Sequence, residues 1–372
     1  MSIAEILTGT LIAPIGFQKG LIAILLGHFI GGVLMYFAGI IGAKTEKSAM
    51  ETVKISFGEK GALLFSSLNV LQLIGWTAVM IVSGATSASL IADFGGNWVW
   101  SLIIGALIIV WILVGVKSLE KINIVAMGGL FILSIVMSVV VFKGGANPLD
   151  LGKMSFGSAV ELSVAMPLSW LPLISDYTRN AEKKQASTIA SVSIYFLISC
   201  WMYVIGMGAA LFTGETDIAK IMFTAGLGIA GLIVVILSTV TTTFLDVYSA
   251  GVSSVSIYDK IDEKKSALVV CIVGTILAIF TPITEFENFL YLIGSVFAPM
   301  IAIQIADFFI LKNDSCKTNF NFINLSLWVV GFIIYRIFMR IDTPVGNTLP
   351  VMVITAVLCV IINKVFGGKK NA

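Results

Sequence analysis

Ionisable side chains are scarce in the apolar stretches of this chain: Glu5, His28, Glu161, Asp176 and Asp246. A carboxylate at the centre of a membrane helix costs about 2.5–3.5 kcal/mol on insertion scales, so such a group generally has work to do. Asp246 is the sharpest candidate. It lies in LSTVTTTFLDVYSAGVSSVS, twelve residues before Tyr258, which sets it about 18 Å along a helix and near the middle of a bilayer. Ser238, Thr242, Asp246, Ser249 and Ser253 follow one another at spacings of three and four, one polar stripe on one helical face. Hydroxyls alone would be ordinary glue between membrane helices. The carboxylate is not explained that way and is assigned to function.

Other candidates are weaker taken singly. Gln72 and Trp76 are four residues apart on one face; an aromatic plane beside an amide suits a flat heterocycle, which takes stacking on its face and hydrogen bonds on its edge. Tryptophan is also common in membrane helices for no such reason. Pro167 and Pro172 interrupt AMPLSWLPLISDYTR, and proline removes a backbone donor and kinks a helix. Unpaired carbonyls at membrane depth are tolerated where they line a cavity. Asp176 and Arg179, one turn apart near the inner end, are read as a structural or gating ion pair rather than a substrate contact. His28, flanked by Gly27, Gly31 and Gly32, is read as a satisfied imidazole at a tight helix contact, and Glu161 as a residue of the outer interface. Glu5 is either a mid-membrane group or an interfacial residue.

The elements that must position these groups follow from composition. Of 372 residues, 58% are hydrophobic and only 12% charged, and the mean hydropathy is +1.02. A soluble domain carries about 25% charged residues, so most of this surface cannot face water and the chain is a membrane protein. The net charge of +2 argues against a nucleic-acid partner. The four cysteines are scattered, with neither metal-site nor disulfide spacing, and no phosphate loop, zinc motif, nucleophile elbow or catalytic pair appears, which counts against an enzyme.

Twelve spans are predicted. Span 1 is the short run from Ile3 to Phe17, about 22 Å of helix against a hydrocarbon core of about 30 Å. The others are placed at Gly20–Gly42, Gly61–Leu90, Trp98–Val116, Ile122–Phe142, Ser158–Ile174, Ser187–Phe212, Ala225–Ile257, Ala267–Phe280, Phe289–Leu311, Ile323–Met339 and Leu349–Val365. With span 1 counted as a crossing and both termini inside, seventeen of the 23 Lys and Arg residues fall on the inner side, as the positive-inside rule requires. That places the protein in the inner membrane with a cytoplasmic C-terminus.

Several segments together resemble one family. LSTVTTTFLDVYSAGVS resembles span 8 of the nucleobase:cation symporter-1 family, the purine–cytosine permeases; SWLPLISDYTRNAE, LYLIGSVFAPMIAIQIADFFIL and FGEKGALLFSSLNVLQLIGW resemble its signatures at spans 6, 10 and 3. The start SIAEILTGTLIAP and the FLDVYSAG stretch are most similar to the branch associated with hydroxymethylpyrimidine, a thiamine precursor. The resemblance implies an all-α polytopic protein of the LeuT type: two inverted five-helix repeats (about 1–143 and 144–311) as a transport core over 1–311, and two further helices with a short tail over 312–372. It implies a monomer that moves a small heterocycle by alternating access with Na+ or H+, without a cofactor.

Carried over by position, Trp76 stacks on the substrate with Gln72 and Asp246 nearby, and Glu5 and Trp170 complete the substrate set. Thr241, Thr242 and Ser238, with backbone oxygens near Ser2, form the cation set, since hard oxygens suit a hard cation. Asp176, Arg179 and Pro167 are gating or structural. The sequence departs from the family pattern in three ways. Relatives carry further residues before Ser-Ile-Ala-Glu, so span 1 is expected to be half a helix whose true start lies upstream. The second stacking aromatic of some relatives falls at Pro167 rather than Trp170. Asp246 stands where relatives have Asn; a carboxylate accepts from an aminopyrimidine edge and could also carry a proton. The competing readings are another solute on the same fold, such as cytosine or a purine, and a non-transporting truncated form or membrane sensor.

Overall fold

The computed structural model describes residues 3–92, 95–115, 120–143, 153–214, 220, 228–280 and 286–367, and every regular element in them is helical. In chain order these are α1 (Ile3–Ile12), α2 (Phe17–Thr45), α3 (Ala49–Phe57), α4 (Gly61–Ile91), α5 (Asn97–Val114), α6 (Glu120–Lys143), α7 (Phe156–Trp170), α8 (Ile174–Thr178), α9 (Lys184–Gly208), α10 (Gly228–Ile257), α11 (Glu263–Phe280), α12 (Phe286–Ile305), α13 (Phe322–Phe338) and α14 (Thr348–Gly367). Among the described residues eight helices are long and apolar enough to cross a membrane, and α1 and α13 are shorter apolar helices. Length and apolarity are what a helix needs where no water can pair with its backbone.

The helices sort by enclosure. The apolar window of α12 is 78% buried, that of α10 61% and that of α4 56%, against 33% for α5, α6, α9 and α14. The first three form the interior with α1 and α7, most of whose residues are also buried. The others present Leu, Ile, Val and Phe outward, Ile132, Leu197 and Val365 among them. α4 lies along α10, α2 along α7, and α1 along α9. Small residues permit these approaches, as is usual in membranes. A Cβ at Gly206 would overlap the backbone of Ile6, one at Gly9 the backbone of Tyr203, and one at Gly31 the ring of Pro167.

Span 6 is two helices. α7 runs through Pro167 and ends at Trp170, and α8 begins at Ile174, so the interruption falls at 171–173, around Pro172. Three-residue turns replace the α-helical ladder there: Leu171 N–H donates to Leu168 O at 3.1 Å, Leu173 N–H to Trp170 O at 3.0 Å and Asp176 N–H to Leu173 O at 2.8 Å. Pro172 supplies no donor, and this is why the ladder fails at that point. Pro167 sits inside α7 and packs on Gly31.

α3 is absent from the span pattern because its nine residues are too few to cross. Its start carries a capping box, with Glu51 N–H donating to Ser48 Oγ at 3.4 Å and Ser48 N–H to Glu51 Oε2 at 2.8 Å, a reciprocal pairing that fixes the first turn. The loop after α12 is tied to the turn between α3 and α4: Ser315 N–H donates to Ile55 O, Glu59 N–H to Thr318 O and Lys60 N–H to Asn319 O, all within 2.8 Å.

Candidate functional site

A cavity of about 340 Å³ opens where the interruption in span 6 faces α1, α4 and α10. Trp76 on α4, Trp170 at the end of α7, Glu5 on α1, and Thr241, Thr242 and Asp246 on α10 all line it. With Met127 of α6 and Tyr195 of α9, residues from six helices converge on one space. α4 and α10 bring Trp76 and Asp246 to it because the two helices pack along each other. The Trp76 ring is held edge-on by Phe286 at 5.9 Å and Phe289 at 5.6 Å, and its buried indole N–H meets no partner among the described residues. Trp170 is tilted against Tyr177 at 6.1 Å and Tyr195 at 6.0 Å.

The lining carries two carboxylates, Glu5 and Asp246, and among the described residues no Lys, Arg or His. Both acids are nearly buried, at 4% and 8% exposure. Such a cavity favours a guest that brings hydrogen-bond donors or positive charge. The remaining wall is largely apolar, with methionine from three helices (Met80, Met127 and Met166), a side chain that adapts to irregular shapes. Among the described residues no three His, Cys, Asp or Glu side chains gather as a metal site. Thr241 and Thr242 line the cavity together with Ala4 of α1; Thr241 Oγ1 donates to Ser238 O at 3.1 Å.

Gln72 is not on the cavity wall. Its amide donates to Asn69 Oδ1 at 2.9 Å and to Ser169 O at 3.4 Å, while Asn69 Nδ2 donates to Pro172 O at 3.3 Å and to Ser253 Oγ at 2.8 Å. These two amides satisfy carbonyls left over at the span 6 interruption, the obligation any buried backbone oxygen carries. Ser238 also stays off the wall; it is fully buried and its hydroxyl has no partner among the described residues. Ser2 lies outside the described residues.

Three sequence expectations are corrected. Asp176 and Arg179 form no ion pair. Asp176 Oδ1 instead accepts from Ala49 N–H at 2.8 Å, so the carboxylate caps the start of α3, where unpaired N–H groups and the helix dipole favour an anion. Glu161 is not at an open interface but 1% exposed. It accepts from Tyr335 Oη at 2.5 Å, Asn347 N–H at 2.6 Å, Thr348 N–H at 2.9 Å and Thr348 Oγ1 at 2.6 Å, which joins α7 to α13 and to the start of α14. Pro167 interrupts nothing and serves as a packing partner of α2. His28 is buried, with Nδ1 2.7 Å from Ser163 Oγ and Nε2 2.7 Å from Ser199 Oγ, a satisfied imidazole between helices.

Tyr195, Met127 and Ser169 also line the cavity, and sequence reasoning missed them. For Tyr195 the available signal was an aromatic with a polar tip inside an apolar span; for Met127 there was none.

The fold and the site define a class, a polytopic helical carrier with a binding cavity at an interrupted helix. Among solved structures the chain is similar to the nucleobase-cation-symport-1 transporter Mhp1. The inward-facing conformation of Mhp1 gives a TM-score of 0.79 at 18% identity, covering 100% of this chain and 88% of that one. The closed conformation with bromovinylhydantoin bound gives 0.76. A Na+-coupled sialic acid symporter gives 0.68 at 16% identity, over 98% of this chain and 86% of that one. The fold is therefore of the LeuT type. In sequence the chain is 25% identical to the cytosine permease of Escherichia coli K12 over 307 residues, 81% of this chain and 72% of that protein. The chain belongs to the family of permeases for cytosine/purines, uracil, thiamine and allantoin, whose pattern matches residues 1–360.

Proposed function

We propose that this permease imports a small aminopyrimidine, with hydroxymethylpyrimidine as the favoured cargo, by cation-coupled alternating access across the inner membrane. The observation that carries this is the pairing of Asp246 with the Trp76 plane in one cavity that holds no basic side chain. A planar ring can stack on the indole while its amino group donates to the carboxylate. An amino group beside a ring nitrogen makes two bonds to a carboxyl group only when the two partners share one proton. Asp246 is thus suited to carry a proton with its guest. Thr241 and Thr242, beside the α1 backbone at Ala4, offer the oxygen ligands a sodium ion would need. The volume of about 340 Å³ lies at the small end of ligand pockets, in keeping with a single-ring guest.

Residues 1–311 act as the transport core in two inverted repeats, with α13 and α14 added to it, and the inward excess of Lys and Arg sets the C-terminus in the cytoplasm. The monomer contains a whole cavity and is the transporting unit. Cytosine is the second reading. It offers the same amino edge, and the 25% identity to a cytosine permease favours it. Uptake of labelled hydroxymethylpyrimidine, competed with cytosine, uracil and adenine, separates the readings: the preferred cargo competes at the lowest concentration. If Asp246→Ala and Trp76→Ala proteins insert and still transport at the wild-type rate, the site is wrong.

A further inference from the structure

A second cavity, of about 480 Å³, lies in a groove between α2 and α9. Phe29, Gly32 and Phe37 from α2 and Ile189, Ser193 and Leu197 from α9 line it. Phe29, Ile189 and Leu197 are exposed, so in a membrane the groove faces lipid. Gly32 makes the notch. Its neighbour Gly31 is required by packing, since a Cβ there would overlap Pro167, whereas a Cβ at Gly32 would meet only Val192, in ordinary contact at 3.5 Å. Helix packing therefore does not call for glycine at 32, and glycine weakens a helix interior. What the missing side chain leaves is space in the groove. From Phe29 to Phe37 the groove follows α2 for about 12 Å, close to the depth of one leaflet of a hydrocarbon core about 30 Å thick. Its Phe37 end points toward charge. α2 ends where α9 begins, and there Lys184 Nζ is 2.8 Å from Glu46 Oε1. Lys44, Lys47, Lys183 and Lys184 stand in these two helix ends against Glu46 and Glu182, and Lys44 and Lys183 are exposed. Lys44 lies seven residues beyond Phe37, on the same helical face. Its Nζ is 5.7 Å from the centre of the Phe309 ring, which stands edge-on to Phe37 at 5.3 Å. A pair of rings thus joins an ammonium to the groove wall.

We propose that this groove is a binding site for an anionic phospholipid, with one acyl chain lying between α2 and α9 and the headgroup phosphate at the end marked by Lys44 and Lys183. Against lipid tails an apolar wall has no hydrophobic preference of its own, so the choice among lipids falls to shape and charge. The groove supplies shape, because an unfilled notch forfeits dispersion contacts that a chain restores. The lysines supply charge, as basic clusters beside membrane helices do for anionic headgroups. None of these residues lines the transport cavity, and the site does not depend on which solute the protein carries.

The test uses the full chain purified in neutral detergent and, as probe, phosphatidylglycerol with a diazirine in one acyl chain, the crosslinked peptides being mapped by mass spectrometry. Crosslinks are expected on residues 29–37 and 189–197, competed by unlabelled phosphatidylglycerol and not by zwitterionic phosphatidylcholine. Lys44→Gln and Lys183→Gln are each expected to raise the lipid concentration for half-labelling roughly fivefold, the scale of one lysine near an anionic surface. Gly32→Leu fills the notch and is expected to abolish these crosslinks while background crosslinks on α5 persist, which shows that the variant is folded. Ser193→Leu fills the groove from the exposed wall of α9 and decides the matter should the first variant not insert. Crosslinks spread evenly over the lipid-facing helices, equal competition by phosphatidylcholine, labelling indifferent to both lysines, or labelling unchanged by the filling variants would each overturn the proposal. A dimer in detergent that Gly32→Leu breaks would assign the groove to a second copy of the chain and overturn it as well.

Discussion

At the residue scale the site combines, among the described residues, buried acids with no basic side chain beside them on the wall and an aromatic plane whose N–H has no partner. Trp76 is fixed by Phe286 and Phe289, so it presents a pre-set face to a guest. Base–aromatic stacking is worth about 1–3 kcal/mol per base by alanine substitution. Trp76→Ala is therefore expected to weaken apparent affinity roughly 10- to 100-fold with the amount of inserted protein unchanged, as measured by uptake kinetics against immunodetection. Asp246 makes a second test. If it shares a proton with the cargo, raising the external pH removes that proton and wild-type uptake declines; Asp246→Asn keeps the shape, loses the titrating group, and is expected to give a reduced, pH-independent rate. A wild-type rate that follows sodium and ignores pH would show that Asp246 recognises but does not couple.

At the scale of elements, the interruption of span 6 is held open by α4. Pro172 ends the ladder, and Asn69 and Gln72 take up Pro172 O and Ser169 O. Asn69→Leu leaves a buried carbonyl and the Ser253 hydroxyl without their donor, at a cost of about 1–3 kcal/mol for an orphaned group. A lower unfolding temperature in detergent is expected, and a larger drop than for Gln72→Leu, because the Asn69 bond to Ser253 is short at 2.8 Å while the Gln72 bond to Ser169 O is long at 3.4 Å. The α1–α9 contact is a second determinant. Gly206→Val would push a side chain into the Ile6 backbone. Overpacking typically costs 1–3 kcal/mol, and because α1 carries Glu5 the shift would reach the cavity; uptake and thermal stability are expected to fall together.

For the whole molecule, the orientation proposed from charge has a native reporter. Cys200, Cys271 and Cys359 are buried, whereas Cys316 is partly exposed in the loop between α12 and α13, close to Lys47 Nζ at 3.5 Å. A membrane-impermeant maleimide is expected to label Cys316 in inside-out vesicles and not in sealed right-side-out ones; the reverse pattern would invert the topology. Partial burial, followed by its hydrogen bond to Asp314, holds the Cys316 thiol above its ordinary range, so labelling should quicken as the pH rises, since the thiolate is the reactive form. Away from that loop the Glu161 network with Tyr335 and Thr348 fastens α13 and α14 to α7, the helix that ends at the cavity.

What the sequence alone determined was whatever a single helix can express. Low charge and long apolar runs made this a polytopic membrane protein, because the cost of placing a backbone or a carboxylate in lipid is set locally, residue by residue. For the same reason Asp246 stood out as a candidate for function, which the structure places on the cavity wall, and Pro172 as a breaker. The tertiary structure decided which groups meet. A helical period tells which residues share a face but not what that face touches, so nothing in the chain linked Asp176 to the start of α3, Glu161 to residues 347 and 348, or Gln72 to the carbonyl of Ser169. Tyr195, Trp170 and Met127 likewise share a cavity with Asp246 only because α9, α7 and α6 close around α1 and α10, an arrangement fixed by side-chain fit between elements far apart in the chain.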